Sequence, residues 1–284
     1  MLEAQPKIGL AHLTAMGCPP PELTYVAAKA GYDYVSYRTI FLGLPNEPNY
    51  SLAHNPQLLR ETRAALAATG LQPLDIELAR IADGVDVKAY APALENAAEL
   101  GIRNVISSIW TPDREFALDS LAELCDLAAK AGVTVNLEFV TWASVTNLRD
   151  AVAAIRQVNR PNCGLMIDTL HFNRSRVALE ELDAVPREWF HMAHLCDGPA
   201  EIPTATVDLI HTGREARLDP GEGGIDLASI VHRIPQVPYS LEIPHLERVK
   251  AVGYAEHARL CCANARKYLA AHPRPAYFER FMST

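Results

Sequence analysis

Hydrophobic positions along the chain repeat with two spacings that take turns. Short runs, apolar almost throughout, read KIGLAHLT, YDYVSYRT, LQPLDIEL, RNVISSIW, VTVNLEFV, GLMIDTLH, FHMAHLCD and PYSLEIP. Runs such as NVISSI do not alternate apolar with polar residues, so they predict strands covered on both faces, as a parallel sheet requires. Between them lie stretches with apolar residues every three to four positions, which predict helices: PELTYVAAKAG, NPQLLRETRAALAATG, DVKAYAPALENAAELG, DREFALDSLAELCDLAAKAG and SVTNLRDAVAAIRQVN. In the last of these, Val145, Leu148, Val152 and Ile155 mark one face. The first four close on Gly31, Gly70, Gly101 and Gly132, and the next strand begins almost at once. That is the signature of a helix ended by a left-handed glycine and a short return to a sheet.

Eight such strand runs in 284 residues predict an α/β fold, a (β/α)8 TIM barrel, as a single domain over 1–284. Residues 272–284, HPRPAYFERFMST, form a tail rich in proline and aromatics. No GxGxxG follows the first strand, and GEGG at 221–224 lacks a strand before it, so a doubly wound sheet is disfavoured. The long segments FLGLPNEPNYSLAHNP, after the second strand, and 197–224, after the seventh, fall on the carboxyl-end face, where loops of such barrels shape a pocket.

Composition narrows the partners. A net charge of −8 and a pI of about 5.7 argue against nucleic acid, whose binders present a basic footprint. No apolar run reaches the roughly 18 residues needed to span a bilayer, so no membrane partner is expected. Six cysteines without a C-x-x-C pair, and a start without a secretory pattern, predict a reduced, cytoplasmic protein.

The chemistry sits where the strand runs end. Glu138, Asp168, His194 and Glu242 each follow apolar residues at the carboxyl end of a run, and His171 stands three residues after Asp168. Taken singly, each has an ordinary reading: a core ion pair for either glutamate, a helix cap for Asp168, a hydrogen-bonded structural imidazole for His194. Taken together, parallel neighbouring strands bring them to one place, and buried carboxylates must be paired or bind metal. Three carboxylates and an imidazole suit one hard divalent ion, Mn²⁺ foremost, with Mg²⁺, Co²⁺ or Zn²⁺ as alternatives. His12, Arg38 and Glu77 end the first three strand runs and are candidates to line the pocket; for Glu77 a salt bridge to Arg80 or Arg103 is the alternative. Trp110 and Trp142 follow strands four and five as candidate apolar walls, and Arg174 and Arg176 follow strand six. Cys196 reads as a small wall residue.

These residues carry a resemblance. LEF around Glu138, DTLHFN around Asp168, HLCD around His194, the loop RLDPGEGGIDL and LEI around Glu242 resemble the xylose isomerase-like TIM-barrel superfamily, the sugar phosphate isomerase/epimerase and AP endonuclease 2-like group. The resemblance implies that Glu138, Asp168, His194 and Glu242 bind one divalent metal, that Glu138 and Glu242 serve as acid and base, and that His171 and Arg217 contact substrate. It implies a metal-dependent isomerase or epimerase of a small keto or aldo sugar, or of a related polyhydroxy carbonyl compound, working through a metal-stabilised enediolate. The alternative is a dehydratase of a cyclic keto compound. Two departures bear on this: Ser144 stands where ketose 3-epimerases carry a second glutamate, and the additional ligands of the nuclease members are absent. The expected partner is a small molecule, and by analogy the chain forms a homodimer or tetramer.

Overall fold

The computed structural model describes residues 6–44 and 47–275. Eight strands, β1 (Ile8–Leu10), β2 (Tyr34–Arg38), β3 (Gln72–Ile81), β4 (Asn104–Ile109), β5 (Thr134–Glu138), β6 (Cys163–Asp168), β7 (Phe190–His194) and β8 (Tyr239–Leu241), close in chain order into a barrel. Every neighbouring pair is parallel, including β8 with β1. The helices are α1 (Pro20–Ala30), α2 (Pro56–Thr69), α3 (Ala91–Glu99), α4 (Arg114–Lys130), α5 (Leu148–Val158), α6 (Thr169–Arg174), α7 (Thr206–Glu215), α8 (Leu227–Arg233) and α9 (Leu246–Ala271).

Local chemistry places the boundaries. Asn55, Asp113 and Asn147 cap α2, α4 and α5 by accepting from the backbone N–H of Leu58, Phe116 and Asp150. Gly31 ends α1 at φ 85° and Gly70 ends α2 at φ 69°, a conformation that a side chain disfavours. Within the barrel, Leu74, Ile106, Met166 and Met192 form an apolar plug. The larger core lies between the strands and the outer helices. The plug closes the lower barrel and leaves the carboxyl ends of the strands as the open end.

Three runs differ from their sequence expectation. The first strand stops at Leu10, and His12–Ala15 forms a 3₁₀ turn. The Thr14 hydroxyl donates to the Leu241 carbonyl (2.7 Å) and accepts from the Ile243 N–H (2.8 Å), which pulls the chain over the end of β8. The sixth run ends at Asp168, and its last residues, including His171, belong to α6. In the third helical run, Val87–Tyr90 is a 3₁₀ turn, and the α-helix begins at Ala91. The start of the tail is docked: Arg274 donates to the carbonyls of Val231 (2.6 Å) and His232 (2.8 Å). Residues 276–284 of the tail lie outside the described residues.

Candidate metal centre

Side chains alternate along a strand, so residues two apart share a face. Glu138 ends β5, Asp168 ends β6, His194 ends β7, and Glu242 directly follows β8; β6 and β7 pair Asp168 with His194. Each projects into the barrel mouth one layer above the interior plug. One ligand atom from each of the four lies within 4.8 Å of every other, and all four side chains are buried. His194 Nδ1 faces Glu138 Oε1 at 3.5 Å, Asp168 Oδ2 at 3.6 Å and Glu242 Oε2 at 3.5 Å. Glu138 Oε1 and His194 Nδ1 are buried without a hydrogen-bond partner. Asp168 fills two roles at once: Oδ1 accepts from the His171 N–H (3.0 Å) and caps α6, while Oδ2 turns to the cluster.

Arg217 reaches this cluster from the loop after α7. Its Nη1 lies 2.5 Å from Asp168 Oδ2 and its Nη2 2.8 Å from Glu242 Oε2. Its Nε donates to the Gly213 carbonyl (2.7 Å), and Nη1 also meets the Glu242 carbonyl (3.2 Å). The resemblance implied substrate contact for Arg217; its contacts here are with the carboxylates of Asp168 and Glu242, the carbonyls of Glu242 and Gly213, and the Cys196 thiol.

The charges then have a definite shortfall. With His194 neutral, as a metal ligand must be, three carboxylates face one guanidinium. Two negative charges remain, which one divalent cation would match. The donor set and the two orphaned atoms fit such an ion. Without one, the imidazole takes part of that role. Burial depresses the His194 imidazolium, but Glu242, Asp168 and Glu138 outweigh it and hold its pKa well above the ordinary range. Burial likewise works against ionised Asp168, yet Arg217, His171 and His194 hold its carboxyl well below the usual range.

The remaining candidates ring the mouth. His171 is buried and its pKa is lowered, by burial first, against the pull of Asp168 and Glu138. Its Nδ1 meets the Thr141 hydroxyl (3.2 Å), and the ring stands edge-on to Trp142 at 4.9 Å. The Trp142 ring in turn presses on Gly213, at the end of α7, where no side chain fits. Arg38 donates to Glu47 Oε1 (2.9 Å) and lies 3.7 Å from Glu77 Oε2, so the partner of Glu77 is Arg38, not Arg80 or Arg103. Glu77 Oε1 is buried without a partner, and burial, only partly opposed by Arg38, pushes its carboxyl up to about 8. Beneath it, buried Asp75 is raised by burial to about 6 while accepting from the Ser36 hydroxyl.

His12 is committed to the backbone. Its Nε2 bonds the Cys18 carbonyl (2.9 Å), its Nδ1 accepts from the Arg38 N–H (2.8 Å), and burial lowers its pKa to about 4. It serves the rim as a neutral post, and its ring stacks on Tyr50. Trp110 donates to the Ser108 hydroxyl (2.8 Å) and carries the Arg80 guanidinium on its face. Arg174 donates to the Pro199 carbonyl (2.8 Å) and Arg176 is exposed, so neither joins the cluster. Cys196 is buried with its thiol pushed by burial up to about 12, an inert wall residue. Glu47 was not singled out from sequence. It sits in the long loop after β2 and also accepts from the N–H of Leu42 and Leu44, and its one signal was an acidic residue within a proline-rich loop.

A closed parallel barrel with a convergent set of metal-type ligands at its strand ends defines a class of α/β-barrel proteins whose chemistry is at the mouth. Within that class the chain belongs to the xylose isomerase-like TIM barrel family, whose pattern matches residues 25–261. It is 25% identical over 256 residues to an inosose isomerase of Bacillus subtilis (strain 168), covering 84% of this chain and 87% of that protein. It is 25% identical over 251 residues to a 3-dehydroshikimate dehydratase of Pseudomonas aeruginosa, covering 82% of this chain but 37% of that longer protein. A solved structure of the IOLI protein with a bound zinc atom superposes with a TM-score of 0.79 at 21% identity, over 95% of this chain and 100% of that one. No helix among the described residues is long and apolar enough to cross a membrane.

Proposed function

We propose that the chain is a divalent-metal-dependent isomerase or epimerase of a small polyhydroxylated carbonyl compound. The observation that carries this reading is the uncompensated pair of negative charges among Glu138, Asp168, His194, Glu242 and Arg217. A divalent ion held by the four ligands supplies Lewis-acid stabilisation of charge developing on a substrate carbonyl. Glu138 and Glu242 stand three strands apart around the barrel and face the same small volume. One takes the proton next to the carbonyl, and the other returns it to the opposite face or the adjacent carbon. His171, with Nδ1 turned to Thr141, presents Nε2 to a substrate oxygen. Arg217 holds Asp168 and Glu242 in place. Trp142 and Trp110 supply apolar walls, and the buried mouth keeps water from the reacting carbon.

A second reading is a dehydratase of a cyclic keto compound, which shares the proton-abstraction step. It is favoured by Ser144, whose short side chain stands where ketose epimerases carry a glutamate and whose N–H is tied to the Ile109 carbonyl (3.0 Å). One experiment tests both. Metal-loaded protein is incubated in D₂O with candidate ketoses and cyclic keto compounds and followed by NMR. Deuterium entering next to a carbonyl with the carbon skeleton retained marks the isomerase or epimerase, loss of water marks the dehydratase, and absence of both across the panel defeats the proposal. Glu138→Gln and Glu242→Gln are each expected to abolish exchange, and near-normal exchange in either removes that residue from the acid–base pair.

A further inference from the structure

A groove of about 640 Å³ runs between α1 and α9 on the outer wall of the barrel. Its floor is apolar, made by Tyr25, Val26, Val252 and Ala255. Tyr25 is 51% exposed and Val252 43%, two of the five large hydrophobic residues exposed among the described residues, so the patch is more than scattered surface apolarity. The rim is charged, with Glu22 and Lys29 on α1 and Glu256 and Arg259 on α9. Glu256 and Arg259 already pair with each other at 2.6 Å. Glu22 and Lys29 take part in no ion pair among the described residues. Both are exposed, as is Tyr25, and spacings of three and four set the three side chains on one face of α1.

This stripe is complementary to itself. In a two-fold pairing the same patch serves on both sides and every contact occurs twice. With a second copy's α1 lying antiparallel and the two-fold axis at Tyr25, the charges fall into register. Glu22 precedes Tyr25 by about 4.5 Å along the helix axis, and Lys29 follows it by about 6 Å. The rotation therefore brings Glu22 level with Lys29 of the second copy to within about 1.5 Å along the axis, and the reciprocal pair forms at the other end. A parallel pairing would set like charges side by side. The two acids and two bases of the rim also leave no local net charge to repel a copy, although the whole chain carries −8.

We infer that the α1–α9 groove is the interface of a symmetric dimer, occupied by α1 of a second copy of this chain, with Tyr25 at its centre and a Glu22–Lys29 pair at each end. The inference is independent of the proposed chemistry, because none of the four metal-type ligands lines this groove. Tyrosine suits the centre, since it supplies a large apolar area with few rotatable bonds and is enriched in interface cores. Docking removes the exposed Tyr25 and Val252 surfaces from water, and that apolar burial drives the association. The charge pairs fix direction and register more than they add affinity. One short helix and the adjoining turns of α9 make a small interface, so a dissociation constant of about 1–100 µM is expected.

The test is sedimentation velocity of the full chain from about 1 to about 300 µM. The wild type should be dimeric at the upper end, and a monomer throughout overturns the inference. Glu22→Lys and Lys29→Glu should each weaken dimerisation about tenfold, because each sets like charges together twice. The two changes move the net charge in opposite directions, so a general charge effect would strengthen association in one and weaken it in the other, and that pattern overturns the pairing. The double variant Glu22→Lys/Lys29→Glu restores both pairs and should dimerise within about threefold of the wild type; failure to recover also overturns it. Cross-linking reads the location. All six native cysteines are buried, so Tyr25→Cys introduces an exposed thiol at the two-fold axis. With diamide as oxidant it should give a disulfide-linked dimer on a non-reducing gel, and Val207→Cys, at a position 70% exposed on α7, should not. A dimer in solution without the Tyr25→Cys link, or equal linking by both variants, would place the interface elsewhere and overturn the inference.

Discussion

Arg217 and a divalent ion should compete for the same two carboxylates, and Arg217→Met tests this directly. Methionine roughly keeps the volume and removes the charge. In the metal-free protein the change strips Asp168 of a contact at 2.5 Å and Glu242 of one at 2.8 Å, both buried. Removing one partner of a buried ion pair costs about 3–5 kcal/mol, because the carboxylates left behind are uncompensated. For a domain of this size, about 3 kcal/mol corresponds to a fall in Tm of roughly 6–12 °C. An ion present at a hundred times its Kd adds about 2.7 kcal/mol to stability. In the variant that ion meets carboxylates no longer engaged by a guanidinium, so it should bind tighter and stabilise more. The assay is differential scanning calorimetry of both proteins in chelator and in saturating MnCl₂. The expected result is a large Tm deficit in chelator that narrows with Mn²⁺. An equal deficit in both conditions, or a smaller Mn²⁺ gain in the variant, would refute the shared-carboxylate argument.

Further outcomes follow from the same geometry. Glu77 has a folded pKa of about 8 against an ordinary 4.5, so its contribution to stability is complete below about pH 4.5 and is lost as pH rises through 8. Glu77→Gln should therefore flatten the decline in stability of the metal-free protein between pH 5 and 8.5, measured by urea denaturation; an unchanged slope would count against it. Gly213→Ala places a methyl group within the Trp142 ring, an overpacking that costs about 1–3 kcal/mol. Shortening the ring in Gly213→Ala/Trp142→Leu should recover part of that loss, and thermal denaturation of the two variants decides it. His171→Ala should lower turnover about a hundredfold, in the range of a lost proton-handling group, while bound metal measured by elemental analysis stays near the wild-type level. Loss of metal in that variant would make His171 a support of the ligand set instead.

The convergence of Glu138, Asp168, His194 and Glu242 was legible from sequence because a carboxylate or imidazole at the end of an apolar strand run is a costly placement that needs a partner. The αβ returns were legible because glycine is the residue that ends a helix just before a strand. What could not be read were the partners. Arg103 precedes β4 and so lies at the opposite end of the barrel from Glu77, and Arg80 falls beyond a register shift in β3 that turns it to Trp110, leaving Arg38 as the partner. His12 was expected in a strand, but the 3₁₀ turn gives both of its nitrogens to the backbone.

Periodicity, the glycine-ended returns and the polar residues at the strand ends thus predicted eight parallel strands in a barrel and the end at which those residues emerge, because these follow from local propensity and from burial on both sides of a sheet. The placement of Arg217 between Asp168 and Glu242, of Glu47 against Arg38, and of Arg80 over Trp110 was decided only by tertiary structure. Those side chains arrive from loops or from an irregular strand, and their direction depends on the path of the folded chain, which no repeat in the sequence encodes.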